Sequence, residues 1–224
     1  ETKVGGADCV ISQTGFTGEK GYEIYVRDAH ENAEKMWNAV LEAGEEFGLM
    51  VIAPAHHRRI AAGILSWGQD LDHETSPFQV NLSYQVPRNK AADYIGKEEL
   101  EKQRAMMDDG KAPFKMKMVG LTLGGKEITD YAPDFWIVTN TDGDEVGYVT
   151  SPWWSPELET NIALAWVPWE ASEVGTKYMV KLPDEYAESP GVAVNAEIVD
   201  VPFRESVNPN KREVQAAKGL DFAD

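Results

Sequence analysis

Cysteine is almost missing from this 224-residue chain. Cys9 stands alone, so no internal disulfide can form, and with only four histidines and no Cys/His cluster a metal site is not expected. His56 and His57 are adjacent, and on a helix they would point about 100° apart, which prevents them from chelating one ion together. Basic residues are scarce as well. Lys and Arg total 21 against 38 Asp and Glu, a formal net charge of −17, which argues against nucleic acid or an anionic membrane surface as partner. The acid reads as a solubilising surface rather than a docking face. No apolar run approaches the ~20 residues that cross a bilayer, and no signal segment opens the chain, so a cytoplasmic location is expected. A nucleophile elbow, a phosphate-cradling G-x-x-x-x-G-K-[ST] and a dinucleotide fingerprint are all lacking, which removes the best support for hydrolase, kinase and dehydrogenase chemistry.

What is present begins with Ser12-Gln-Thr-Gly-Phe-Thr-Gly-Glu-Lys-Gly-Tyr-Glu-Ile-Tyr25. Gly15, Gly18 and Gly21 allow left-handed backbone or close approach of another molecule, and Tyr22–Val26 reads as a strand. Strand parity puts Glu23 and Tyr25 on one face, opposite Tyr22 and Ile24. A carboxylate on such a face suits a flat heterocycle with neighbouring N–H donors, such as a pterin. The same residues also suit a plain hairpin with Glu23 in solvent, and residue types alone leave both open.

Hydrophobic residues make up 42% of the chain, enough for a proper core. Residues 29–48 carry Ala33, Met36, Trp37, Val40 and Leu41 at helical spacing, with Asp28 as the expected N-cap and Gly48 as the stop. Further helices are expected over Pro54–Ser66 and Tyr94–Met107. After Gly110 the pattern changes to short β-prone runs at Met116–Leu123, Phe135–Thr139, Val146–Thr150, Ile162–Val167, Tyr178–Leu182 and Val192–Val199. Runs of this length with no long helix predict a small antiparallel barrel or sandwich. Cys9 reads as a buried strand residue, and Trp37 and Trp166 as core. Trp67 and the Trp153-Trp154 pair are candidates for a ligand wall.

The Ser12–Tyr25 string resembles the folate-site signature R-T-G-Y-T-G-E-D-G-F-E-I of the glycine-cleavage T-protein (aminomethyltransferase) family. Further matches follow in order. Arg59-Ile-Ala-Ala-Gly-Ile-Leu-Ser-Trp-Gly-Gln-Asp-Leu-Asp72 resembles R-L-E-A-G-L-x-L-Y-G-x-D-M-D, and Tyr94-Ile-Gly-Lys-Glu-Glu-Leu100 resembles the family's [DF]-[FY]-[IP]-G-[KR]-[ED]-A-L. Gly147-Tyr-Val-Thr-Ser151, Ser155-Pro-Glu-Leu158 and Asn161-Ile-Ala-Leu-Ala-Trp-Val-Pro168 resemble G-x-[IV]-T-S, S-P-x-L and N-[IV]-[AG]-x-[AG]-x-V-P. The resemblance covers about residues 8 to 205.

It implies an α+β fold, with a ferredoxin-like folate-binding region incomplete at its N-terminus over residues 1–111, an antiparallel β-barrel over 112–205, and a charged tail at 206–224. It implies tetrahydrofolate as cofactor, with Glu23 anchoring the pterin, Phe16 and Tyr25 shaping the pocket and Arg59 orienting the cofactor. Trp67 is the candidate for a stacking wall. Ala61 stands where the family has glutamate, so any acid partner of Arg59 comes from elsewhere. The chain opens at Glu1, as if cut from something longer. The family's catalytic aspartate belongs to the N-terminal half, so activity is expected of a parent protein rather than of this piece. Ile52-Ala-Pro-Ala-His-His-Arg58, Phe135-Trp136 and Tyr25 lean toward the dimethylsulfoniopropionate demethylase-like branch, with a small methylated donor. The alternatives are a true T-protein served by lipoyl H-protein and a non-catalytic folate-binding module.

Overall fold

The structure, a computed structural model, describes residues 1–88 and 90–203; the charged tail lies outside them. It is an α+β chain of two compact units, Glu1–Arg59 and Ile60 onward.

The first unit is built on a three-stranded antiparallel sheet, β1 (Thr2–Val4), β2 (Ala7–Ser12) and β3 (Glu23–Val26), in that spatial order. Gly5 and Gly6 join β1 to β2 with φ of 57° and 83°, the two left-handed residues that a tight hairpin turn requires. Val4 then pairs with Ala7, and across the next strand pair Cys9 faces Val26 and Ser12 faces Glu23. Alternation buries Ala7 and Cys9 while Asp8 stays exposed, which confirms Cys9 as a buried strand residue. Helix α1 (Ala29–Gly44) packs against the sheet. It comes so close to the turn that a Cβ on Gly5 would lie 2.6 Å from Cβ of Ala39.

Two details of α1 differ from expectation. Asp28 holds the N-cap position in left-handed backbone at φ 49° and makes no side-chain cap bond; its carbonyl receives the Glu31 and Asn32 N–H groups instead. Trp37 is 48% exposed rather than core, because the packed side of α1 runs through Met36 and Val40. A 3-10 turn at Glu45–Phe47 follows, and Gly48 ends it at φ 71°, the expected left-handed stop.

Helix α2 is shorter than the expected Pro54–Ser66. It spans His56–Ala61 and gives way to a turn in which Gly63 takes φ 70°. A Cβ on Gly63 would meet Val201 at 2.5 Å, so the chain turns where it meets the C-terminal segment. Helix α3 covers Lys97–Asp108.

The second unit also contains a closed barrel. Strands β4 (Met116–Leu123), β5 (Trp136–Thr139), β6 (Glu145–Ser155), β7 (Thr160–Pro168), β8 (Lys177–Val180) and β9 (Val194–Val199) pair antiparallel in the order β4-β7-β6-β5-β8-β9, and β9 closes on β4. Period two sends Val119, Leu121 and Leu123 of β4, and Ala163, Ala165 and Val167 of β7, into the barrel interior. The intervening residues of β7, Ile162, Leu164 and Trp166, join a second core with Ile60, Ala61, Val80 and Met118. Strand β7 is therefore buried on both faces, which is why its sequence is an unbroken apolar run.

Candidate functional site

In the first unit the loop from Gln13 to Tyr22 brings two groups of side chains together. Tyr25 and Glu23 lie two apart on β3, so their side chains share a face, and the Tyr25 hydroxyl donates to Oε2 of Glu23. The Thr14 hydroxyl, from the loop, donates to the same oxygen. These bonds favour the ionised carboxylate: Thr14 first and then Tyr25 hold the Glu23 carboxyl below its ordinary value, against a small opposing effect of burial. The reciprocal effect pushes the Tyr25 phenol up, chiefly through its bond to Glu23.

The second group is Phe16 and Arg59. Phe16 is 50% exposed, and the Arg59 guanidinium carbon lies 5.8 Å from its ring centroid, within cation–π range. Arg59 is 2% exposed; one side of Phe16 is thus backed by a buried positive charge while the other meets solvent. His56, one helical turn earlier, has its imidazole pushed down by burial and then by the Arg59 charge. Among the described residues no group of three potential metal ligands exists.

Thr14 and Phe16 are two residues apart, so one short loop serves both the carboxylate and the arginine. The structure brings four of the five expected site residues into one unit, with Glu23 paired to Tyr25 and Arg59 to Phe16. Thr14 was not singled out by the sequence argument. Its place in the Ser12–Tyr25 string was visible, but loop residues have no periodicity from which a hydroxyl's direction can be read. Chemically, the set offers an ionised acceptor, a guanidinium and an aromatic face. None of these is a primed nucleophile, so the arrangement suits holding and orienting a ligand.

Trp67, the fifth residue, belongs to the second unit and is 69% exposed. Its loop is held by Asp70, which is 1% exposed. Oδ1 of Asp70 accepts the Thr150 and Ser151 hydroxyls, each at 2.6 Å, and Oδ2 accepts the Ser66 N–H at 2.7 Å. Consecutive strand residues normally point to opposite faces. Here the register shifts between Val149 and Ser151, and the bulge lets both hydroxyls reach one carboxylate. The Asp70 carbonyl accepts the Trp166 indole N–H at 3.0 Å. Trp153 packs on the second core, which makes it structural in large part.

Comparison with known proteins gives these features a family. The GCVT N-terminal domain model matches residues 1–90, and the glycine cleavage T-protein C-terminal barrel domain model matches residues 117–204. The chain belongs to the glycine cleavage T-protein family. Aminomethyltransferases of Geobacillus sp. (strain WCH70) and Bacillus subtilis (strain 168) are 33% and 31% identical over 205 residues, 91% of this chain and 51% of theirs. One from Clostridium botulinum (strain Okra / Type B1) is 35% identical over 181 residues, 80% of this chain and 46% of its own. The chain thus spans about half the length of the curated relatives it matches. The crystal structure of glycine cleavage system aminomethyltransferase T from Bartonella henselae superposes with a TM-score of 0.66 at 24% identity, over 88% of this chain and 50% of that one, a likeness of fold. No helix among the described residues is long and apolar enough to cross a membrane.

Proposed function

We propose that this chain is the folate-binding and barrel portion of an aminomethyltransferase, a tetrahydrofolate-dependent one-carbon transferase of the glycine cleavage type. The observation that carries this reading is the state of Glu23. Its two hydroxyl donors both use Oε2, and a carboxylate has about four acceptor directions in all. Oε1 therefore remains for a ligand, and Tyr25 can yield its bond if the ligand brings two parallel N–H donors. An amino-pyrimidinone edge of the pterin type fits that demand. Phe16, backed by Arg59, offers a flat face beside it, and Arg59 adds the positive charge that suits the carboxylate end of a folate. Tetrahydrofolate supplies the nucleophilic nitrogen that takes up the carbon unit, so the residues named here position and do not react.

The donor is read from the relatives. Local features of the sequence lean toward a demethylase acting on a small methylated donor, yet the relatives compared above are named aminomethyltransferases. That name favours an aminomethyl group carried on lipoyl H-protein. The test uses the complete natural gene product containing this chain, with tetrahydrofolate and aminomethylated lipoyl protein. Ammonia and 5,10-methylenetetrahydrofolate are the expected products. Formation of 5-methyltetrahydrofolate from a free methylated donor, without lipoyl protein, would return the demethylase reading, and folate binding without turnover would leave a non-catalytic module.

A further inference from the structure

In a chain whose charge is strongly negative, one depression of the second unit is basic. It has a volume of about 140 Å³ and lies where the segment after Val86 meets α3, lined by Arg88, Lys90, Tyr94, Leu100, Glu101 and Arg104 among others. The Lys90 ammonium is held 4.6 Å above the centre of the Tyr94 ring, and the Lys97 ammonium lies 6.0 Å from it. Arg104 sits 4.8 Å over the Phe78 ring and donates to the Val86 carbonyl. Arg88 turns two of its N–H donors to Asp108, both bonds 2.8 Å long. Lys97 approaches Glu101 at 3.9 Å.

Among the lining residues three cations, Arg88, Lys90 and Arg104, stand against one carboxylate, Glu101, while Asp108 pairs with Arg88. The surplus is partly withdrawn from water: the side chains of Arg88 and Lys97 are 36% and 29% exposed. Repulsion within it is visible at Arg104, whose guanidinium is pushed down by burial first and by neighbouring Arg88 second. A bound anion would relieve it directly.

We propose that this depression binds a small oxyanion, a phosphate or carboxylate group, with Lys90 and Arg88 as its donors and the Tyr94 ring holding the Lys90 ammonium in place. Guanidinium and ammonium groups suit a planar carboxylate or a tetrahedral phosphate alike. The site is built wholly from residues of the second unit and does not depend on the folate reading.

The test titrates the 224-residue chain with inorganic phosphate and, separately, with succinate, following amide resonances of residues 86–104 at constant chloride. Saturable shifts confined to that segment are expected. Lys90→Glu should weaken binding about tenfold or more, whereas Lys177→Glu, which changes net charge equally on strand β8 outside the lining, should change it less than about twofold. Response to only one of the two probes identifies the group and still supports the site. Linear shifts without saturation for both probes, or equal weakening by the two variants, would overturn the proposal. Glu23→Gln should leave this binding unchanged, which separates its failure from that of the folate reading.

Discussion

The Tyr25 hydroxyl donates to Oε2 of Glu23, the oxygen that Thr14 also engages, so a strand residue and a loop residue together keep one carboxylate charged. Because the folded-state pKa is depressed, the stabilising contribution is present above the unfolded value and is lost as pH falls through the folded one. In a carboxyl-carbon NMR titration Glu23 should therefore titrate below an ordinary glutamate. Thr14→Val should raise that midpoint most and Tyr25→Phe next. A Glu23 midpoint that neither variant moves would show that the hydroxyls do not hold the charge.

Asp70 should be the most sensitive polar residue of the second unit. It is buried and receives two hydroxyls and one backbone N–H. Asp70→Asn replaces one acceptor oxygen by an amide that also donates, and should cost about 1–3 kcal/mol, the usual penalty for unmatched buried polar groups. Urea unfolding followed by tryptophan fluorescence measures this. Ser151→Ala, which removes a single donor, should cost about 1 kcal/mol.

Gly147 should tolerate no side chain. A Cβ there would lie 2.1 Å from the Trp166 carbonyl oxygen, and the obstacle is backbone of the neighbouring strand rather than a movable side chain. Gly147→Ala should leave the barrel unfolded or insoluble. Gly143→Ala has open space but φ of 92°, so it should fold with a loss of roughly 1–2 kcal/mol in thermal melts.

Removing the Leu121 side chain, which is fully buried in the barrel interior, should cost about 2–5 kcal/mol in Leu121→Ala. The same truncation at exposed Ile95 should fall within about 0.5 kcal/mol of the parent. Equal losses at the two positions would mean that the barrel interior is not the main store of stability.

The barrel was legible because its strands carry strong alternation or unbroken apolar runs. Each of the six expected runs lies on or overlaps an observed strand. The run expected to end at Thr150 continues to Ser155, since the bulge that extends it has no period to detect. Several family motifs also acquire local reasons. Asn161 receives the Ile128 N–H and donates to the Lys126 carbonyl, Ser155 accepts the Leu158 N–H, and Thr150 and Ser151 hold Asp70. Those partners are up to 81 residues apart in sequence, a distance at which a single sequence gives no geometric signal. At the candidate site, strand parity put Glu23 and Tyr25 on one face, but not the hydrogen bond between them. The loop that supplies Thr14 and sets Phe16 against Arg59 has no repeat from which its path can be derived, and α2 ended early because packing at Gly63 overrode helix propensity.

The most direct test of the central claim is a calorimetric titration of the complete natural gene product containing this chain with a stable reduced folate, before and after Glu23→Gln. A charge-assisted hydrogen bond in a binding site is worth about 1.5–3 kcal/mol, so the variant should bind roughly 10- to 150-fold more weakly with its fold intact. Equal affinity in the two proteins, or no folate binding by either, would contradict the account.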